Sequence, residues 1–199
     1  MTSGEIPLDQ KPLDQKPLDQ KVVELHDALT AAAVPHAFGG AIAFAYYGEP
    51  RATVDVDINV FVRPDRAASI FESLGELGVT ANENAVSDTE RHGQVRLHWG
   101  RTPVDLFFAY DAFHDHAAGR VRTVPFGTLS IPILAPEDLL VCKVVFNRRK
   151  DWIDIDQILA LTAGDLDLDD MRRWVTRIVG RDDKRLAMLE AAVVEILDE

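Results

Sequence analysis

Residues 39–57 read Gly-Gly-Ala-Ile-Ala-Phe-Ala-Tyr-Tyr-Gly-Glu-Pro-Arg-Ala-Thr-Val-Asp-Val-Asp, and this stretch constrains the fold more than any other. A glycine pair opens a short helix, and the strand that follows carries aspartates at alternate positions. Alternate residues of a strand share one face and lie about 6.5–7 Å apart. Asp55 and Asp57 are therefore expected side by side, with Val54, Val56 and Ile58 turned the other way into a core. Two adjacent carboxylates repel unless a cation lies between them. An oxygen-only donor set suits Mg²⁺, which is held by one or two carboxylates together with substrate phosphates.

The rest of the chain limits what can surround that stretch. Its 199 residues allow one domain, or a small α/β domain with a helical extension, and 47% hydrophobic content is enough for a buried core. A net charge of −12 argues against a broad non-specific nucleic-acid surface, though a local basic groove remains compatible with it. Cys142 is the single cysteine and lies in an apolar run, so it reads as a small buried hydrophobe in a reducing compartment. No apolar run reaches the roughly 18–20 residues that span a bilayer. The N-terminus has no basic start followed by an apolar stretch, and a cytoplasmic protein with no membrane partner is expected.

Pro-Leu-Asp-Gln-Lys occurs three times in succession, at 7–11, 12–16 and 17–21. A period of five fits neither helix nor strand, and a proline in each copy blocks a continuous helix. Residues 1–21 therefore read as a repetitive, flexible leader, whose last copy feeds a helix over 18–33 with Val22, Leu25 and Leu29 on its apolar face. The pattern then predicts a strand at 36–38, a helix from the glycine pair to about 47, a strand over 55–62 and a helix over 64–77. Residues 78–90 lack periodicity and read as a loop. Val95, Leu97 and Trp99 alternate with polar residues as a half-buried strand, and a second strand follows over 103–109. Asp111 caps a helix to about 118, two strands flank Gly127, and from Pro136 the chain reads as helical, with breaks near 150–151, 164 and 180. The domains expected are a core over 22–135 and a helical region over 136–199.

Asp105 provides an internal check. It sits mid-strand between Val104 and Leu106, where an unpaired charge is costly. Either it meets Asp55 and Asp57 around a metal, or it pairs with an arginine such as Arg51 or Arg101; the apolar alternation shared by all three aspartates favours the metal. Gly39-Gly40 permits a tight turn, and such a turn can also aim backbone N–H groups at a phosphate. Lys143, Asn147 and Lys150 fall on one helical face, so Lys143 either holds a triphosphate as a point charge or snorkels to solvent. Asp151 can cap the next helix with Asp154 in its first turn. Arg173, Arg177 and Arg181 recur at steps of four, either as a basic strip for RNA phosphates or, with Asp169, Asp170, Asp182 and Asp183 beside them, as a salt-bridged surface. His36, His92 and His98 are not spaced as a metal set, and structural roles are expected of them.

Gly39-Gly40, Asp55-Val56-Asp57 and the later strand carboxylate Asp105 together resemble the nucleotidyltransferase superfamily built on the DNA polymerase β-like fold. Within it the chain is similar to the AbiEii-type toxins of bacterial toxin–antitoxin systems. That likeness rests on Arg51-Ala-Thr-Val-Asp-Val-Asp57, on Ala135-Pro-Glu-Asp-Leu-Leu-Val-Cys-Lys143 and on Arg149-Lys-Asp-Trp-Ile-Asp154, and covers residues 22–162. Ala41 departs from the pattern, since many superfamily members carry a serine near the phosphates.

The resemblance implies an α+β nucleotidyltransferase fold: a small mixed sheet flanked by helices, plus a C-terminal helical part. It implies a toxin that transfers nucleotides from an NTP to the 3′ end of tRNA and so blocks translation and growth. Asp55 and Asp57 would hold two Mg²⁺ ions, Asp105 would complete the second and help deprotonate the attacking hydroxyl, and Gly39, Gly40 and Lys143 would stabilise the leaving pyrophosphate. Asp154 would lie close to the nucleotide. Other acceptors compatible with the superfamily are a protein hydroxyl, as in small adenylylating antitoxins, and an aminoglycoside; a nucleotide-binding partner without turnover is a further alternative. Thr53 is expected on the strand face of the aspartates, where phosphorylation by a kinase-like cognate antitoxin would add about −1.5 to −2 charges.

Overall fold

A computed structural model describes residues 16–197. The first repeat copy and most of the second lie outside the described residues. The third does not: helix α1 (Leu18–Ala31) begins inside it, so the core starts before residue 22. Lys21 is buried, and its ammonium donates to the Trp99 carbonyl (2.9 Å) and to Thr102 Oγ1 (2.8 Å). The repeat's last lysine thus fastens α1 to a sheet hairpin.

Strand β1 (His36–Phe38) leads into the short helix α2 (Gly40–Phe44), and β2 (Val56–Val60) follows an extended segment. Helix α3 (Ala67–Gly75), entered through a 3-10 turn at Pro64–Arg66, precedes β3 (Val79–Thr80) and α4 (Ala85–His92). Strands β4 (Gln94–Trp99) and β5 (Thr102–Phe108) form a hairpin; α5 (Ala112–Ala118) then leads to a second hairpin, β6 (Arg122–Phe126) and β7 (Leu129–Ile133). Helices α6 (Pro136–Phe146), α7 (Arg149–Thr162), α8 (Leu168–Val179) and α9 (Lys184–Leu197) complete the described chain.

The strands make one mixed seven-stranded sheet in the order β3-β4-β5-β2-β1-β7-β6. β2 runs parallel to β5 and antiparallel to β1, while β1 runs parallel to β7. Residues Val56, Ile58 and Val60 and their neighbours Val104, Leu106 and Phe108 are fully buried in the same core as Leu25 and Leu29 of α1 and Ile70 and Leu74 of α3. Each such side chain contributes roughly 1.5–3 kcal/mol by leaving water. The intervening residues, Asp57 and Asp105 among them, face the other way.

Several expectations are corrected here. Residues 78–90 are not a loop: they contain β3 and most of α4, a polar helix whose buried residues are only Ala85 and Thr89, one turn apart. Val54 does not enter the core but is 70% exposed, because the strand starts at Val56 and a bend precedes it. The α6–α7 break falls at Asn147 and Arg148, before the expected position; Asn147 has a left-handed backbone (φ 55°) and its Oδ1 accepts from Trp152 Nε1 (2.8 Å). Asn147 therefore serves as a helix terminator and does not extend a face shared with Lys143. Asp111 does cap α5, accepting from the Phe113 N–H at 2.9 Å. No helix among the described residues is long and apolar enough to cross a membrane.

Candidate active site

The glycine pair packs its backbone against Asp57. Gly39 N–H donates to the Asp57 carbonyl at 2.9 Å. Gly40 has φ +51°, and a Cβ there would lie 1.8 Å from Asp57 Oδ2, so no other residue lets the main chain come this close to the carboxylate. At Gly39 the nearest atom to such a Cβ is the Asn59 amide nitrogen, at 2.9 Å. Helix α2 is a little over one turn long, shorter than expected, so the turn contributes close approach more than a helix dipole.

The parallel pairing of β2 with β5 sets Asp57 directly beside Asp105. Asp55 precedes β2, in a bend where Thr53 Oγ1 accepts from the Asp55 N–H at 3.2 Å. Thr53 is thus not on the strand face of the aspartates; its hydroxyl is turned onto the Asp55 main chain. Burial, and after it the charges of Asp105 and Asp55, push the Asp57 carboxyl up to about 6. Asp105 pairs with neither Arg51 nor Arg101. Arg96, directly across the β4–β5 hairpin, donates to both its oxygens at 2.7 Å.

Among the described residues no three His, Cys, Asp or Glu side chains stand close enough together to hold a metal ion. The donor chemistry nonetheless fits a hard cation. Asp55 and Asp57 offer oxygen alone, and the raised Asp57 carboxyl is a charge conflict that a cation relieves. The third carboxylate carries Arg96 where the sequence suggested metal.

Lys143 is also committed. Its ammonium, almost fully buried, lies 2.5 Å from Asp154 Oδ2, and Arg51 adds a two-pronged pair to the same carboxylate (3.1 and 2.9 Å). Both cations sit over the Phe44 ring, at 5.3 and 5.8 Å. Burial raises the Asp154 carboxyl, but the hydrogen bonds from Arg51 and Lys143 outweigh it and hold the group below its ordinary value. Asp154 therefore positions Lys143 and Arg51. Asp151 is not the N-cap of α7. From the first turn it reaches back to the Arg148 N–H (3.0 Å) and to that guanidinium (2.7 and 3.0 Å), the reciprocal half of a capping box.

Two cavities of about 480 Å³ each share Asp57, Gln94, Phe107, Phe146 and Arg148 as a common wall. The first contains Gly40 and Lys143 and is lined chiefly by apolar side chains, with the rings of Tyr110, Phe113 and His114 among them. The second is polar and contains Asp105, Arg96, His92, Asp88 and Asn82. Arg148 was missed in the sequence, where its one sign was an aspartate three residues on, at a helix start. Asn82 lay in the stretch read as loop, and His92, for which a structural role was expected, lines the second cavity from the end of α4. Cys142 lines the first cavity with its thiol pushed up to about 12 by burial, as suits a packing residue.

Of the two alternatives for Arg173, Arg177 and Arg181, a basic strip or a salt-bridged surface, the ion pairs present match the second more closely. Helix α8 ends at Val179, and Gly180 (φ +94°) turns Arg181 off its surface. Arg173 pairs with Asp170, Arg172 with Asp169 and Glu190, and Arg185 with Asp183. Arg177, stacked 5.2 Å from the Trp174 ring, faces the first cavity.

Solved structures share this architecture. ANT(2″)-Ia in complex with adenylyl-2″-tobramycin matches 89% of this chain with 97% of its own, at 15% identity and a TM-score of 0.52. The lincosamide antibiotic adenylyltransferase LnuA, with lincomycin bound, matches 72% of this chain with 97% of its own, at 11% identity and a TM-score of 0.50. At these identities the likeness is one of fold: a mixed-sheet α+β nucleotidyltransferase. No curated protein sequence matches the chain. The family pattern described as nucleotidyl transferase AbiEii toxin, type IV toxin–antitoxin system, matches residues 26–198. With a glycine turn pressed on one aspartate, a second beside it in register and cavities on both sides, the chain belongs to the AbiEii family of nucleotidyltransferase toxins.

Proposed function

We propose that this nucleotidyltransferase moves nucleotides from an NTP to the 3′ end of tRNA and thereby arrests translation and growth. The observation that carries the reading is the pair of cavities divided at Asp57. The first, which includes the glycine turn, suits the donor: its aromatic side chains offer π-faces to a base and its volume admits a nucleoside. The second is polar and brings Arg96 and Arg148 together with Asp57, Asp88 and Asp105, so an acceptor phosphate entering it would be met by the two arginines.

In the reaction the acceptor hydroxyl oxygen bonds to the α-phosphorus. The bond from that phosphorus to the bridging oxygen breaks, and pyrophosphate leaves with the bonding electrons. Asp105 takes the hydroxyl proton. The turn at Gly39 and Gly40 lets the triphosphate approach Asp57 without a Cβ in its path. Lys143, oriented by Asp154, adds positive charge on the donor side. Asp55 and Asp57 would hold two Mg²⁺ ions, the second completed by Asp105, which when bound supply neutralising charge to the triphosphate.

Membership of a toxin–antitoxin family implies an antitoxin partner. A kinase-like antitoxin acting on Thr53 would replace the hydroxyl that accepts from Asp55 by a dianion beside the metal-binding carboxylates. Intact-mass analysis after co-expression checks this, a gain of one phosphate being expected. The site of action would be the cytoplasm, where tRNA resides.

The deciding experiment incubates the protein with each radioactive NTP and either total tRNA or lysate protein, and sequences tRNA 3′ ends afterwards. Label on tRNA, lost in Asp57→Ala, is expected. Label on protein or on an aminoglycoside instead would overturn the tRNA assignment.

A further inference from the structure

Arg96 grips a carboxylate of the reaction centre itself. It faces Asp105 directly across the antiparallel β4–β5 pair and donates to both carboxylate oxygens at 2.7 Å. The two ends of this pair differ in exposure: the Arg96 side chain is 56% exposed, whereas that of Asp105 is 15% exposed. An arginine so open to water gives up little burial of its own on leaving, so another two-pronged anion can exchange for Asp105. The Lys143–Asp154 pair, buried at both ends, has no such freedom.

Position says what would draw Arg96 away. Gly40 lines only the first cavity, Arg96 and Asp105 only the second, and Asp57 lines both. A triphosphate at the glycine turn therefore lies on the far side of Asp57 from Arg96. The anion within reach of Arg96 is one entering through the second cavity, whose other charged or ionisable lining residues are Asp88, His92 and Arg148. A guanidinium takes a phosphate by the same two-pronged geometry as a carboxylate.

We propose that Arg96 is an acceptor-operated latch: at rest it occupies Asp105, and a phosphodiester next to the acceptor's terminal hydroxyl takes over its guanidinium and frees Asp105 for the reaction. The latch rests on the nucleotidyl-transfer reading and deepens it, because it names the acceptor as a phosphodiester chain and excludes neutral or cationic small molecules. In this scheme Arg96 is a positioning residue, acting through Asp105 and through the placement of the acceptor. With a phosphate-free acceptor, Arg96 stays on Asp105 and the third carboxylate is withheld.

Mn²⁺ titration followed by electron paramagnetic resonance tests the latch without turnover. Arg96→Ala, measured alone, is expected to bind Mn²⁺ at least about fivefold more tightly than the natural protein, the equivalent of about 1 kcal/mol of competing ion pair removed. The gain is expected to vanish in Arg96→Ala/Asp105→Asn. Adding tRNA with a 3′-deoxy end tightens Mn²⁺ binding in the natural protein but not further in Arg96→Ala. In steady-state assays Arg96→Ala raises KM for tRNA about tenfold, leaves KM for NTP unchanged and flattens the salt dependence by about 0.7 in log–log slope, one phosphate contact. Arg96→Lys, which keeps the charge, restores the salt slope.

Unchanged Mn²⁺ affinity in Arg96→Ala, or a gain that persists when Asp105 is Asn, overturns the latch. So does a KM for NTP that rises with that for tRNA. A protein that labels a protein acceptor from NTP refutes the tRNA reading instead, and the Mn²⁺ comparison still judges the latch by itself.

Discussion

Replacing Asp57 by Asn should stabilise the metal-free protein while ending nucleotidyl transfer. Burial and the charges of Asp105 and Asp55 raise the Asp57 carboxyl from 3.8 to about 6. An acid whose pKa is higher in the folded state binds more protons folded than unfolded between those values. Its contribution to stability is therefore fully present below pH 3.8 and is lost as pH rises through 6. Above pH 6 the ionised carboxylate costs up to about 3 kcal/mol, from a rise of roughly two units at 1.36 kcal/mol each. Asn carries no charge and retains the shape, so Asp57→Asn recovers part of this, about 1–3 kcal/mol at pH 7.5 and nothing near pH 4. Urea unfolding in EDTA at intervals from pH 4 to 8 gives the difference directly. Asp138 is also pushed up, to about 6, by burial, but it titrates in both proteins and cancels from the comparison. Mg²⁺ should then stabilise the natural protein and leave Asp57→Asn unmoved. Parallel stability–pH curves for the two proteins, or equal Mg²⁺ responses, would refute the argument.

Gly40→Ala places a methyl group 1.8 Å from Asp57 Oδ2 on a left-handed backbone, and is expected to abolish NTP labelling; Gly39→Ala, which meets the Asn59 amide, should lose less. Asp154→Ala strands two cations beside Phe44 and is expected to cost about 3–5 kcal/mol in urea unfolding, whereas Lys143→Met should cost less because Arg51 still balances Asp154. Phe107→Ala, in the wall common to both cavities, should raise KM for NTP and tRNA together, in contrast to Arg96→Ala. Leu29→Ala removes a fully buried side chain from α1 and is expected to cost about 2–5 kcal/mol without altering the ratio of those KM values.

The face carrying Asp57 and Asp105 was legible because both aspartates interrupt strict apolar alternation, a pattern that fixes which way a side chain points whatever the neighbouring strands do. The partner of Asp105 was not legible. Arg51, Arg96 and Arg101 all lie within range along the chain, and choosing among them requires the hairpin register that sets Arg96 opposite Asp105 and Leu97 opposite Val104. Helix α4 escaped because its buried residues, Ala85 and Thr89, are too few to make a periodic stripe, although Gly93 (φ +68°) marks its end. Val54 was misassigned for the converse reason: alternation was carried two residues ahead of the strand's start, into the bend where Thr53 Oγ1 accepts from the Asp55 N–H. Lys143 was expected to hold a triphosphate, and it lines the same cavity as Gly40. What its charge spends itself on depended on a carboxylate eleven residues ahead, beyond a helix break that the sequence pattern set too late.

Arg51 lies on the segment entering β2, and the group that neutralises it lies on α7. A chain cut back to residue 135 would expose Phe44 and leave that guanidinium with no counter-charge. The rear helices are therefore half of the wiring that keeps the aspartate strand in place. Engineering a minimal catalytic fragment would have to supply a substitute anion for Asp154 before anything else.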